Sequence, residues 1–194
     1  MIEKILIDFT RLLYEIPAVL LAIGIHEYFH AFVAVKMGDD TPLKMGMVNI
    51  NPFPRLDLVG FLMFIWFNYG WTRDTPIDYR RFSSVWKSIF VSLAGIMGNI
   101  ILGVGFLLFL FLKKPSPESF FYNFVGHSIV VNFNMALINF LPVPPLDGGK
   151  IVGLFIPQYL KFTFIGAIII FFISLTDFSR FVQSLSYSIL RVFI

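Results

Sequence analysis

Residues 20–36 read LLAIGIHEYFHAFVAVK, and the polarity inside this run sets the terms for the rest of the chain. In an α-helix, residues four apart share a face one turn above each other, so His26 and His30 can turn imidazole nitrogens toward one metal ion, with zinc the expected one. Glu27 follows the first histidine and is rotated about a quarter-turn from it. That suits it to hold and deprotonate a water rather than to bind the metal. The spacing is the H-E-x-x-H pattern of metallopeptidases. In a water-soluble chain, two histidines and a glutamate on a helix are commonly just a solvated face. Here the flanks are Ile, Leu, Ala, Phe and Val. Ionisable groups at membrane depth are costly and rare, so a cluster of them points to function.

Composition supports the membrane setting independently. Hydrophobic residues make up 57% of the chain and charged residues only 14%, with 25 phenylalanines and a mean hydropathy of +0.81. A soluble domain of this length would carry far more charge. The absence of cysteine excludes disulfides and thiolate metal sites, so any metal must use His, Asp or Glu. The net charge of +3 is small, and Lys and Arg are spread among loops without a basic stripe. This argues for contact with a lipid bilayer and against nucleic acid.

In chain order, residues 1–15 mix apolar and charged positions and predict an interfacial helical lead-in. Pro17 then suits the first turn of a helix running to Val35, long enough to span, with His30 near its end at Lys36. Residues 39–57 contain a β-like run from Lys44 to Ile50. This predicts a short strand or hairpin beside the helix, the alternative being a plain connecting loop. An edge strand there would pair with an extended peptide. Residues 59–69 are apolar but too short to span, as in a re-entrant or interfacial piece. Residues 70–87 are polar and basic, with Trp71 and Trp86 suited to the headgroup region. Residues 88–112 form the longest clean apolar segment and a predicted spanning helix. Within it Ala94 and Gly98 make a small-residue face, and Asn99 reads equally as interhelical glue or as a catalytic group. Residues 120–141 form a further predicted span, on which Asn132 and Asn139 share a face. It breaks into PVPPLDGG, residues 142–149. That non-helical turn is tolerated at membrane depth only when buried in protein or lining a cavity. Asp147 in this turn can supply a third metal ligand and leave the fourth position to water, although Asp-Gly after prolines is commonly only a turn. His127 competes as a ligand, but about 20 residues of mostly helical chain, roughly 30 Å, separate it from Asp147, which favours a packing or cavity role. A brief helix at 150–156, a short span at 162–175 and an amphipathic tail at 176–194 complete the reading. The expected fold is an all-α polytopic membrane protein with four to five membrane segments, one domain over residues 1–194 with its core at 17–175.

HEYFHAFVA (26–34), SLAGIMGN (92–99) and NFLPVPPLDGG (139–149), in this order on successive hydrophobic segments, resemble the site-2 protease family of intramembrane zinc metalloproteases. The resemblance covers roughly residues 20–175 and is strongest to the compact subgroup that consists of the membrane core alone. NPFPRLD (51–57) and GWTRDTPID (70–78) also look like that subgroup. The resemblance implies one zinc ion bound by His26, His30 and Asp147, Glu27 as general base, and Asn139 as a group that orients substrate or the oxyanion. The implied substrate is a transmembrane protein cut within or near its membrane segment. One departure is Ile96, where the family usually has proline.

Charge placement gives an orientation. With the metal end of the first helix facing the cytoplasm, nine of the 15 Lys and Arg residues lie on that side. This predicts an outside N-terminus and a site near the cytoplasmic face of the plasma membrane. The rival reading is a zinc-binding transporter or sensor without hydrolysis. Glu27 separates the two, because a transport site has little use for a carboxylate beside a ligand but outside the coordination sphere.

Overall fold

The computed structural model describes residues 2–67 and 71–174, together with Ser184 and Ser188. All regular structure among the described residues is helical: α1 (Ile2–Met37), α2 (Thr41–Lys44), α3 (Leu58–Phe67), α4 (Val85–Lys113), α5 (Phe120–Asn139), α6 (Asp147–Phe155) and α7 (Thr163–Ser174), with short 3₁₀ turns between them. The amphipathic tail expected at 176–194 lies outside the described residues apart from the two serines.

Two stretches, Thr10–Met37 and Val85–Lys113, are long and apolar enough to cross a membrane. At 1.5 Å per residue each exceeds the ~30 Å hydrocarbon core. The α5 helix has 20 residues but carries His127, Asn132, Asn134 and Asn139, while α3 and α7 are short. The α1 helix does not start at Pro17 but runs through it. Proline removes one backbone bond there, and the flanking side chains hold the helix together. Glu15 is buried and takes a two-pronged bond from Arg11 one turn earlier, at 2.7 and 2.9 Å. Ala18, Val19, Ala22 and Ile23, just beyond, pack into the core.

Helices α1, α4 and α5 pack on one another around that core. Val131, Met135 and Ile138 of α5 meet the α1 residues together with Phe64 and Leu146, and a second cluster joins Leu107 and Leu110 of α4 to Val125, Ile129 and Phe133. Small residues on α4 let α1 approach: a methyl at Gly98 would lie 2.8 Å from the Phe29 ring. With Ile96 in place of proline, α4 continues unbroken.

The hairpin expected after the first helix does not form. No strand occurs among the described residues; Thr41–Lys44 is one helical turn, and Gly46 reverses the chain at φ +67°. The backbone acceptors a sheet would use are taken by Arg55. Its buried guanidinium donates to the carbonyls of Asn49 (2.7 Å), Asn51 (2.9 Å) and Met47. Asn49 and Asn51 also accept from backbone N–H groups two residues ahead, a turn chemistry that competes with a ladder. The edge strand that would have paired with a peptide is therefore absent.

Candidate metal centre

Three side chains from distant parts of the sequence converge in the bundle. His26 and His30 project from α1 four residues apart, and Asp147 opens α6, where the positive end of the helix favours a carboxylate. The turn before α6 can reach them because Gly148 and Gly149 have no side chain: a methyl at 148 would lie 2.6 Å from the Phe140 carbonyl, and one at 149 would strike Pro144. Asp147 Oδ2 lies 3.1 Å from His26 Nε2 and 3.0 Å from His30 Nε2, and the two nitrogens are 3.2 Å apart. All three residues are at most 2% exposed.

The geometry fits a cation. His30 Nδ1 is 2.8 Å from the Val91 carbonyl, which only accepts, so Nδ1 carries a hydrogen, and in the neutral ring Nε2 turns a lone pair toward the Asp147 carboxylate. Two lone pairs 3.0 Å apart repel unless a proton or a metal ion lies between them. Two imidazoles and one carboxylate, their donor atoms within 4.8 Å of one another, form the donor set that divalent metals take when one position is left open.

Glu27 lies beside this cluster and outside it. Thr72 Oγ1 donates to its Oε1 at 2.6 Å, and Thr75 donates to Oε2 from both Oγ1 (2.7 Å) and its backbone N–H (3.0 Å). The donors sit on the irregular segment 71–78, held by Arg73 N–H to Arg55 O and by Asp78 N–H to the buried Asp39. Lys150, one turn into α6, bridges Asp147 Oδ1 (2.9 Å) and Asp74 (2.7 Å). Burial alone would lower the Lys150 ammonium, but the two carboxylates outweigh it and hold it well above the ordinary lysine value.

A cavity of about 10 Å³, the room of one water, is lined by His26, Glu27, Thr72, Asn139, Asp147 and Lys150 among others. Asn139 thus reaches the site, with its Nδ2 donating back to Met135 O at 2.9 Å. Trp71 also lines this cavity rather than standing free like Trp86. A larger cleft of about 390 Å³ runs from His30 and Lys150 between segment 74–79 and the Pro144–Pro145 turn. His127 is outside the cluster; it stacks on Tyr14 and donates to the Asn123 carbonyl.

Four contributors escaped the sequence reading. A methyl at Gly95 of α4 would sit within 2.7 Å of both metal-facing nitrogens, so α4 forms a wall of the site only because residue 95 has none. The AGIMG run holds that signal, but the four-residue spacing of small side chains marks Ala94 and Gly98 instead. Thr72 and Thr75 lie in a loop with no motif to mark them. Lys150 follows Asp147 by three residues, a helical spacing that could have marked it.

Comparison with known proteins agrees with this geometry. Residues 113–176 match the profile of Peptidase family M50. A Bacillus subtilis protein named "Putative zinc metalloprotease YwhC" is 32% identical over 156 residues, covering 76% of this chain and 71% of the relative. Relatives with the same zinc-metalloprotease description occur in Methanocaldococcus jannaschii, 24% identical over 148 residues (75% of this chain, 73% of the relative), and Mycolicibacterium smegmatis, 25% over 134 (66% and 52%). No solved structure gives a significant match. The identity and coverage of the Bacillus relative, together with the family match, place this chain in peptidase family M50, the site-2 proteases.

Proposed function

We propose that this chain is an intramembrane zinc metalloprotease that hydrolyses a peptide bond within or near a transmembrane segment of a membrane-protein substrate. The observation that carries the proposal is the buried cluster of His26, His30 and Asp147 with a separate carboxylate, Glu27, at its side. The names of the relatives support zinc as the metal.

Zinc held by His26 Nε2, His30 Nε2 and Asp147 Oδ2 would supply a Lewis acid and lower the pKa of water toward about 7. Glu27 takes the proton of the attacking water and returns it to the leaving nitrogen. Its Oε2 already accepts two hydrogen bonds and its Oε1 one, which leaves Oε1 with the free lone pair for that proton. Asn139, on the wall of the small cavity, orients the scissile carbonyl. A helical substrate must first unwind, since its carbonyls are already hydrogen-bonded and shielded. In this reading residues 1–194 form one membrane domain with four to five segments, the N-terminus outside and the site near the cytoplasmic face of the plasma membrane.

The test is cleavage of a panel of single-span substrates by purified protein in detergent, with bound zinc measured for wild type and Glu27→Gln. Cleavage by wild type alone, with equal zinc in both, is expected. Cleavage that survives Glu27→Gln unchanged would reject the assigned base.

A further inference from the structure

We infer that Asn99 and Asn132 are positioning residues of the metal centre, joined in a one-way hydrogen-bond relay that dictates which nitrogen of His26 carries its hydrogen. The inference rests on the reading of His26, His30 and Asp147 as zinc ligands.

The relay starts at a group with no choice. The Ser128 carbonyl can only accept, so Asn132 turns its Nδ2 toward it at 2.7 Å. Asn132 Oδ1 then faces Asn99 at 2.8 Å, and Asn99 must donate from its own Nδ2. The Ala22 carbonyl, 3.1 Å from the same Nδ2, makes the same demand. With its amide fixed by two acceptors, Asn99 leaves Oδ1 directed at His26 Nδ1, 2.7 Å away. An amide oxygen only accepts, so Nδ1 carries a hydrogen and, in the neutral ring, the lone pair is on Nε2, the atom that faces His30 and Asp147.

His30 reaches the same state in one step from the Val91 carbonyl. In their neutral form both imidazoles therefore present Nε2 lone pairs to the centre. Asn99, Asn132 and Ser128 are fully buried, where a misdirected bond has no water to fall back on. Interhelical adhesion accounts for the burial of these amides but demands no particular direction of each bond.

The test uses the full chain purified in detergent and measures Zn²⁺ affinity by competition with a chromophoric chelator. The variants are Asn99→Leu, Asn99→Asp and Asn132→Leu, each checked for fold by circular dichroism. Removing the acceptor in Asn99→Leu should weaken zinc by about 10–100-fold. Asn99→Asp keeps an oxygen that accepts from His26 Nδ1. Its second oxygen replaces the amide donor facing Ala22 O and Asn132 Oδ1 unless it is protonated, so zinc should weaken, but less than in Asn99→Leu. Asn132→Leu should fall between, since Ala22 still holds one side of the Asn99 amide.

Adhesion predicts the opposite order, because Asp buries a charge between helices whereas Leu suits the apolar bundle. Zinc bound as tightly by Asn99→Leu as by wild type, or more weakly by Asn99→Asp than by Asn99→Leu, would overturn the relay. Should Asn99→Leu fail to fold, Asn132→Leu decides: weakened zinc supports the relay and unchanged zinc overturns it. Failure of wild type to bind stoichiometric zinc would overturn the metal reading itself, and this inference with it.

Discussion

Gly95 shows how much one absent methyl group controls. Both metal-facing nitrogens lie within 2.7 Å of where an alanine Cβ would be, whereas Gly105, ten residues on along the same helix, has nothing within 4 Å of that position. Gly95→Ala should therefore abolish stoichiometric zinc and cleavage. Gly105→Ala should keep both and gain up to about 1 kcal/mol of helix stability, read from thermal unfolding in detergent. Equal zinc in the two variants would mean that α4 does not pack on the histidines. Lys150 works by orienting a ligand, its ammonium donating to Asp147 Oδ1. Lys150→Met would leave Asp147 Oδ1 without the hydrogen bond that orients it, and zinc affinity measured by chelator competition should fall by about 10–100-fold. At this scale the sequence was legible where side chains carry the chemistry, at His26, Glu27, His30 and Asp147, whose roles are now open to test. It was silent where geometry acts through a missing side chain, as at Gly95, or through hydroxyls on an irregular loop, as at Thr72 and Thr75.

Among the elements, Arg55 organises the connection between α2 and α3. Three backbone carbonyls depend on its guanidinium. Arg55→Met should cost about 1–3 kcal/mol and open residues 45–52 to a soluble protease, while helix content by circular dichroism stays unchanged. Unaltered digestion there would show that the loop holds its shape without the arginine. The same residue explains why the hairpin expectation failed. The run at 44–50 looks like a strand, but Arg55, up to eight residues further along, claims the carbonyls of Met47 and Asn49, and no local pattern registers a partner at that distance. Long apolar runs have no such competitor, which is why α4 was legible almost to its ends. At Pro17 the local rule pointed to a helix start, and packing of the residues after it carried α1 through.

For the whole molecule, the two long apolar helices fix a simple consequence. If α4 crosses the bilayer, the segment before it and the turn after it lie on opposite sides. The chain has no cysteine, so Arg80→Cys and Ser116→Cys, both at exposed positions, give single labelling sites. A membrane-impermeant maleimide should reach residue 80 only from the cytoplasmic face and residue 116 only from the opposite face. Labelling of both from one side would exclude the proposed topology. The family assignment rests on the Bacillus relative and the family profile, and residues 26, 30 and 147 converge in the fold; the metal is what would join them into an enzyme. The most direct measurement is X-ray absorption at the zinc edge on the purified protein, with zinc counted per chain in wild type, His30→Ala and Asp147→Asn. The account predicts one zinc with two imidazole nitrogens at about 2.0–2.1 Å and oxygen in the remaining positions, lost in both variants. An all-oxygen shell, or zinc retained at full stoichiometry in both variants, would contradict it.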